Sequence, residues 1–358
     1  MRSCAVPALC PPDIPPAFAS YAGRYLSRHN SADCDRNATL HDRSHGRQQP
    51  DGYSPRPRDA HPAVSVLGTA QPLRDFSTHG SERVIDYEAE YNNRALVPEH
   101  PAIIEGWARD AAHYRSEANC TLATAYELGE RTVYDLFLPE TGMPERGPLG
   151  LFIHGGYWQG LDRTFFSHMA KGLNAHGIPV AVPSYSLCPQ VRVGDIVEEI
   201  RRLVAHLWER YRRPVLAYGH SAGGQLTAAL LATDWGSRGL PRGLVPAGLA
   251  ISGVFDLQPL IGTSLNEKLR LDRKEAIDVS PIAFAAQPGT RLVAAVGGGE
   301  SSEFIRQSRV IADIWQRGGV ATELDIRGQD NHFTVIAPLA DPDSDLTLRL
   351  AEMARSIC

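Results

Sequence analysis

The chain has 358 residues, 43% of them hydrophobic and 22% charged, which is enough apolar content for one large core or two medium ones. A net charge of -5 without Lys/Arg blocks excludes a nucleic-acid or anionic-membrane footprint and favours a small substrate over a polyanion. The six cysteines (Cys4, Cys10, Cys34, Cys120, Cys188, Cys358) make no zinc or disulfide-scaffold spacing, no apolar run reaches the about 18 to 20 residues of a membrane span, and Ala5 to Leu9 is too short for a signal-peptide core, so a cytoplasmic protein is expected.

Residues 1–82 are rich in Pro, Arg, Asp, Ser and His, with no sustained period of 2 or 3.6, and are expected to form a low-order extension. His41 and His45 stand four apart there, but no helical pattern or further ligand supports a metal site. A folded domain is expected over 83–358. It opens on Ile85, Tyr87, Tyr91, Ile103, Ile104, Trp107, Ala111 and Tyr114, spaced along one helical face. Thr121 to Leu138 reads as a hairpin turning at Gly129-Glu130.

Short apolar runs then alternate with helical patterns. The strands expected are 149–153, 178–182, 215–218, 249–255, 292–296 and 322–326; the helices are 165–175, 196–211, 223–232, 304–316 and 346–357. Such alternation predicts an α/β fold with a mostly parallel central sheet and helices on both faces. The stretch 256–285 exceeds an ordinary connection and is expected to carry helices of its own as a cap-like insertion near the site.

In a parallel sheet, function collects at the carboxyl ends of the strands. Gly219-His220-Ser221-Ala222-Gly223 lies between an expected strand and an expected helix, the context of a nucleophile elbow, with Ser221 as nucleophile and the Ala222 amide as an oxyanion donor. After strand 149–153 comes His154-Gly155-Gly156-Tyr157-Trp158. Here Gly155 would supply the bend, and the amides of Gly156 and Tyr157 would face a developing oxyanion.

A serine hydroxyl needs a base, and the base needs an acid behind it. Glu300, the first acid beyond strand 292–296, is the first choice, with Glu303 and Asp256 as alternatives. His332 is the only histidine downstream of Glu300, and the order Ser, acid, His is that of α/β-hydrolases. His154 and His220 flank glycine-rich turns and are expected to order their loops by hydrogen bonding. Tyr157, Trp158 and Phe333 are candidate aromatic walls for a substrate, or else core.

At these motifs the chain resembles the α/β-hydrolase superfamily, and within it kynurenine formamidases (arylformamidases) and related bacterial esterases. The resemblance rests on HGGYWQ (154–159), GHSAGG (219–224), SGVFDLQPL (252–260), ESSEFIRQS (300–308), NHF (331–333), Asn266 and Tyr91-Asn92-Asn93-Arg94. It implies Ser221 as nucleophile, His332 as base and Glu300 in the place of the family's usual aspartate. It further implies hydrolysis of an aryl formamide such as N-formylkynurenine through an acyl-enzyme, with cleavage of short-chain acyl esters as the rival activity. A non-catalytic binding protein of this fold would be expected to lack Ser or His. No cofactor or metal is expected. The partners expected are a small-molecule substrate and at most a second copy of the chain as a homodimer, with neither nucleic acid nor membrane.

Overall fold

An eight-stranded sheet in the order β1-β2-β4-β3-β5-β6-β7-β8 organises the computed structural model, which describes residues 84–357. The extension expected over 1–82, with His41 and His45, lies outside the described residues. The strands are β1 (Asn119–Ala125), β2 (Val133–Leu138), β3 (Leu149–Ile153), β4 (Val180–Pro183), β5 (Val215–His220), β6 (Ala247–Ile251), β7 (Arg291–Gly297) and β8 (Ala321–Arg327). β2 runs antiparallel to both β1 and β4, and from β4 through β3 to β8 every pairing is parallel.

The helices are α1 (Tyr87–Tyr91), α2 (Asn93–Leu96), α3 (His100–Glu117), α4 (Lys171–Ala175), α5 (Val193–Tyr211), α6 (Ala222–Leu231), α7 (Asn266–Leu269), α8 (Arg273–Asp278), α9 (Ser302–Arg317) and α10 (Asp345–Arg355). They cover both sheet faces, which is why the central strands are apolar throughout instead of alternating with polar residues. Along β3, Leu149, Leu151 and Ile153 enter the core shared with α5, α6 and α9. Phe152 turns the other way, into the core shared with α3 and α10. β5 divides likewise, with Val215 and Ala217 on one side and Leu216 and Tyr218 on the other. Among the described residues, no helix is long and apolar enough to cross a membrane.

Two expected elements differ. The helix expected over 165–175 is broken into 3-10 turns at Arg163–Phe165 and Ser167–Ala170 before α4. Phe166 leaves helical geometry (φ -129°, ψ 11°), and its ring packs against Trp107, Phe152 and His154, so tertiary packing overrides the local period. The strand expected over 249–255 stops pairing at Ile251, because Ser252 takes φ +50° and turns the chain across the ends of the sheet.

The stretch 256–285 does carry helices, with 3-10 turns at Gln258–Gly262 and Pro281–Ala283 around α7 and α8. Asn266 holds its middle together. Its amide donates to the Ile261 and Leu271 carbonyls, and its Oδ1 accepts from the Leu271 amide at 2.7 Å.

Candidate active site

Ser221 stands where β5 breaks into α6, in a conformation (φ 56°, ψ -118°) that an L-residue seldom adopts. The turn is possible because Gly223 has no side chain: a Cβ there would sit 1.9 Å from the Ile153 carbonyl oxygen. The strain, of about 1 to 3 kcal/mol for such a residue, lifts the hydroxyl clear of the strand end. The Ala222 amide is the first of α6, so it has no intrahelical carbonyl to bond.

His332 comes from the loop beyond β8. Its Nε2 lies 3.1 Å from Ser221 Oγ and its Nδ1 lies 2.6 Å from Glu300 Oε2. A carboxylate only accepts hydrogen bonds, so Nδ1 donates to Glu300 and Nε2 is free to accept the serine proton. The Glu300 side chain is fully buried and that of His332 nearly so. Low local polarity strengthens each link of this chain.

Glu300 is held from two further directions. Its Oε1 accepts from the Gly297 amide at 2.7 Å and from the Ser252 hydroxyl at 2.5 Å. The glycine run at 297–299 is a consequence of close approach: a Cβ on Gly297 would fall 2.1 Å from the Asp330 carbonyl oxygen. The acid loop and the histidine loop are thereby pressed together. Ser252 escaped the sequence reading, although it opens the SGVFDLQPL motif; nothing in a one-dimensional pattern shows that β6 ends beside β7's acid.

The two alternative acids are engaged elsewhere. Glu303 pairs with Arg306 through two bonds of 2.7 Å and accepts from the Tyr91 hydroxyl at 2.9 Å, tying α9 to α1. Asp256 caps its own turn at the Gln258 amide, while Gln307 accepts from the amides of Phe255 and Asp256. The EFIRQ part of the motif is therefore a clamp for the loops around the site.

His154-Gly155-Gly156-Tyr157 forms the facing wall. Gly156, Tyr157 and Trp158 all take positive φ (110°, 50° and 55°), which reverses the chain over Ser221. Gly155, Gly156, Tyr157, Ser221 and His332 line one cavity of about 290 Å³. The Tyr157 hydroxyl donates to the Tyr91 carbonyl at 2.7 Å and accepts from Asn93 Nδ2 at 3.2 Å. Burial holds this phenol well above its ordinary pKa, so it stays neutral.

Of the three candidate aromatic walls, Tyr157 and Phe333 line the cavity and Trp158 does not. Trp158 is 0% exposed in the core, because the consecutive left-handed residues that aim Tyr157 at the cavity aim the next side chain beneath it. Trp107 and Phe166 take its place in the wall, with ring centroids 5.3 Å apart. Neither carries a motif; both read in sequence as ordinary apolar positions.

The two glycine-flanking histidines hold loops. His154 stacks on Tyr185 at 4.2 Å and lies 2.7 Å from the Gly155 carbonyl, and burial lowers its pKa to about 4. His220 Nε2 reaches the His332 carbonyl at 2.8 Å, fixing the histidine loop, and burial first, then the neighbouring His332, hold it well below the usual imidazole range. Among the described residues, no group of three His, Cys, Asp or Glu is placed to hold a metal ion.

Comparison with known proteins agrees with this architecture. The model of the alpha/beta hydrolase family matches residues 151–352, more than half of the chain. The kynurenine formamidase of Danio rerio is 30% identical over 246 residues, covering 67% of this chain and 83% of the relative. That of Salmo salar is 31% identical over 247 residues, with the same 67% and 83% coverage. A solved structure of a candidate thioesterase from Silicibacter sp. is 34% identical with a TM-score of 0.67, covering 74% of this chain and 98% of that one. The chain belongs to the alpha/beta hydrolase family and, within it, to the arylformamidase-like branch of hydrolases.

Proposed function

We propose that this hydrolase cleaves an aryl formamide, N-formylkynurenine to kynurenine and formate, through a formyl-enzyme on Ser221. The observation that carries the reading is the continuous hydrogen-bonded chain from Glu300 through His332 to Ser221, opening on a cavity with aromatic walls. His332 Nε2 takes the hydroxyl proton as Ser221 Oγ attacks the formyl carbon. The resulting oxyanion is met by the amides of Gly156, Tyr157 and Ala222, with Gly155 supplying the bend. Losing one such donor typically costs roughly 2.7 to 4 kcal/mol.

His332 then returns the proton to the departing arylamine, and the C–N bond breaks. A water, deprotonated by the same nitrogen, attacks the formyl ester and releases formate and the free serine. Glu300 holds the imidazole tautomer and stabilises its cation throughout. With this activity we place the protein in the cytoplasm, a reading that rests on the spacing of its six cysteines, which suits neither a zinc site nor a small disulfide scaffold.

A second reading, hydrolysis of short acyl esters by the same machinery, draws on the solved relative described as a candidate thioesterase, a name that speaks of acyl–sulfur bonds. Assay of the purified protein on N-formylkynurenine beside short p-nitrophenyl esters separates the two. Rapid formamide turnover is expected, and brisk ester cleavage with none of the formamide would overturn the first reading.

Ser252 is proposed as a positioning residue acting through Glu300. Ser252→Ala removes one of the two donors to Oε1, and a hydrogen bond to a charged group is worth about 1.5 to 3 kcal/mol. A kcat roughly tenfold lower with KM close to that of the parent is expected from steady-state kinetics, together with a thermal midpoint lowered by a few degrees in calorimetry because the buried carboxylate loses a donor. Unchanged kcat would show that Gly297 alone suffices.

A further inference from the structure

The cavity is far larger than a formyl group needs, so most of it must receive the leaving portion of the substrate. Its lining is uneven. Trp107, Phe166 and Phe333 make one apolar wall, with the Trp107 and Phe333 ring centroids 5.9 Å apart. Arg94 of α2 and Lys268 of α7, far apart in sequence, line the same cavity. These cations have exposed side chains on a protein of net charge -5, and neither forms an ion pair among the described residues. Other arginines around the site are occupied: Arg306 by Glu303, and Arg163 by Asp135.

Among the described residues Glu88 is the one carboxylate in the lining, and both its oxygens are bonded. Oε1 accepts from the Ser264 hydroxyl and Oε2 from the Ser264 amide, each at 2.7 Å. That pair of bonds fastens α1 to the stretch bearing Lys268. Gln159 does the same from the oxyanion loop, donating to the Leu265 carbonyl at 3.0 Å. The stretch carrying Lys268 is thus tied to both α1 and the loop over Ser221, while among the described residues no carboxylate pairs with its ammonium.

We infer that Arg94 and Lys268 form a subsite for a carboxylate on the leaving portion of the substrate. The subsite selects aryl formamides or esters whose leaving group bears a free carboxylate over those of the same shape in which it is blocked. This deepens the formamidase reading and rests on it for the identity of the acyl group. The mechanism is Coulombic attraction between the two cations and the substrate carboxylate at the cavity mouth, which is weakened by salt.

The test compares kcat/KM for two matched pairs: 4-acetoxybenzoate against its neutral methyl ester, and N-formylkynurenine against its α-carboxamide, which keeps the size and the α-ammonium and blocks only the carboxylate. The ratio of the free-carboxylate to the blocked substrate is expected to exceed one in both pairs and to fall about fivefold in Arg94→Gln and in Lys268→Gln, the change that an exposed pair at the upper end of its usual range produces. It should also fall as ionic strength rises from about 0.01 M to about 1 M, where the Debye length shrinks from about 30 Å to about 3 Å. Because a ratio is read, general damage to the fold cancels. A ratio unmoved by both substitutions and by salt overturns the subsite. Selectivity within the ester pair, with neither formamide turned over, keeps the subsite and defeats the formamidase reading. Formamide turnover without any selectivity does the opposite.

Discussion

Replacing Ser221 with alanine is expected to lower kcat by about 10⁴-fold or more while leaving the protein folded, since removing the nucleophile of such a triad leaves only the catalysis due to the oxyanion site and binding. The single side-chain bond lost is the one to His332 Nε2, and the backbone of the elbow is held independently by the Ser221 amide on the Ile251 carbonyl at 2.8 Å. A Ser221→Gly variant adds a second reading of the same site. Glycine accepts φ 56° without penalty, so this variant should be inactive yet more stable than the parent by about 1 kcal/mol, measured by chemical denaturation. A phosphonate that labels nucleophilic serines should label the parent and neither variant. Full activity in Ser221→Ala would place the nucleophile elsewhere and leave the elbow a purely structural turn.

Much of this was legible in the sequence because the sheet is covered on both faces, which writes each central strand as a short apolar block. The blocks at 149–153 and 292–296 were readable to within a residue or so for that reason. The elbow and the histidine loop were equally legible, since each joins a strand end to a polar residue within a few positions. What failed depends on contacts between distant segments. Phe166 interrupts a helical period to fill a gap beside Trp107, and Ser252 serves an acid 48 residues further along. Trp158 shows the limit most directly: adjacent to Tyr157 in the motif, it faces the opposite way because of backbone torsions that side-chain identities do not announce.

The strand ends explain why so many of these distant segments meet. β3, β5, β6, β7 and β8 are neighbours in the sheet and end on the glycine loop of Gly155 and Gly156, Ser221, Ser252, Glu300 and the loop of His332 respectively. The acid at β7 sits one strand from the histidine at β8 and two from the serine at β5. His332 therefore reaches back over β7 and β6, and His220, beside Ser221, secures that reach by bonding the His332 backbone. A single hydrogen-bonded sheet fixes the spacing of all five groups.

Glu300→Gln is expected to cost about 10⁴-fold in kcat at neutral pH with little change in KM, the size of loss seen when a triad carboxylate becomes an amide. The physical reason lies in the tautomer. With glutamate, Nδ1 must donate at 2.6 Å, so Nε2 faces Ser221 as an acceptor. A glutamine can turn its NH₂ toward Nδ1 because its carbonyl oxygen is drawn to the two donors at Oε1, Gly297 and Ser252. The ring proton then moves to Nε2, where it blocks deprotonation of the serine. Glu300→Asp tests the same geometry by length. Withdrawn by one methylene, the carboxylate can keep its Gly297 and Ser252 bonds or reach Nδ1, and a misplacement of about 1 Å costs about 10²-fold. The expected order in single-turnover measurements is parent, then Glu300→Asp, then Glu300→Gln. Activity preserved in Glu300→Gln would mean that His332 is oriented by its backbone and by His220 alone, and that the carboxylate is dispensable.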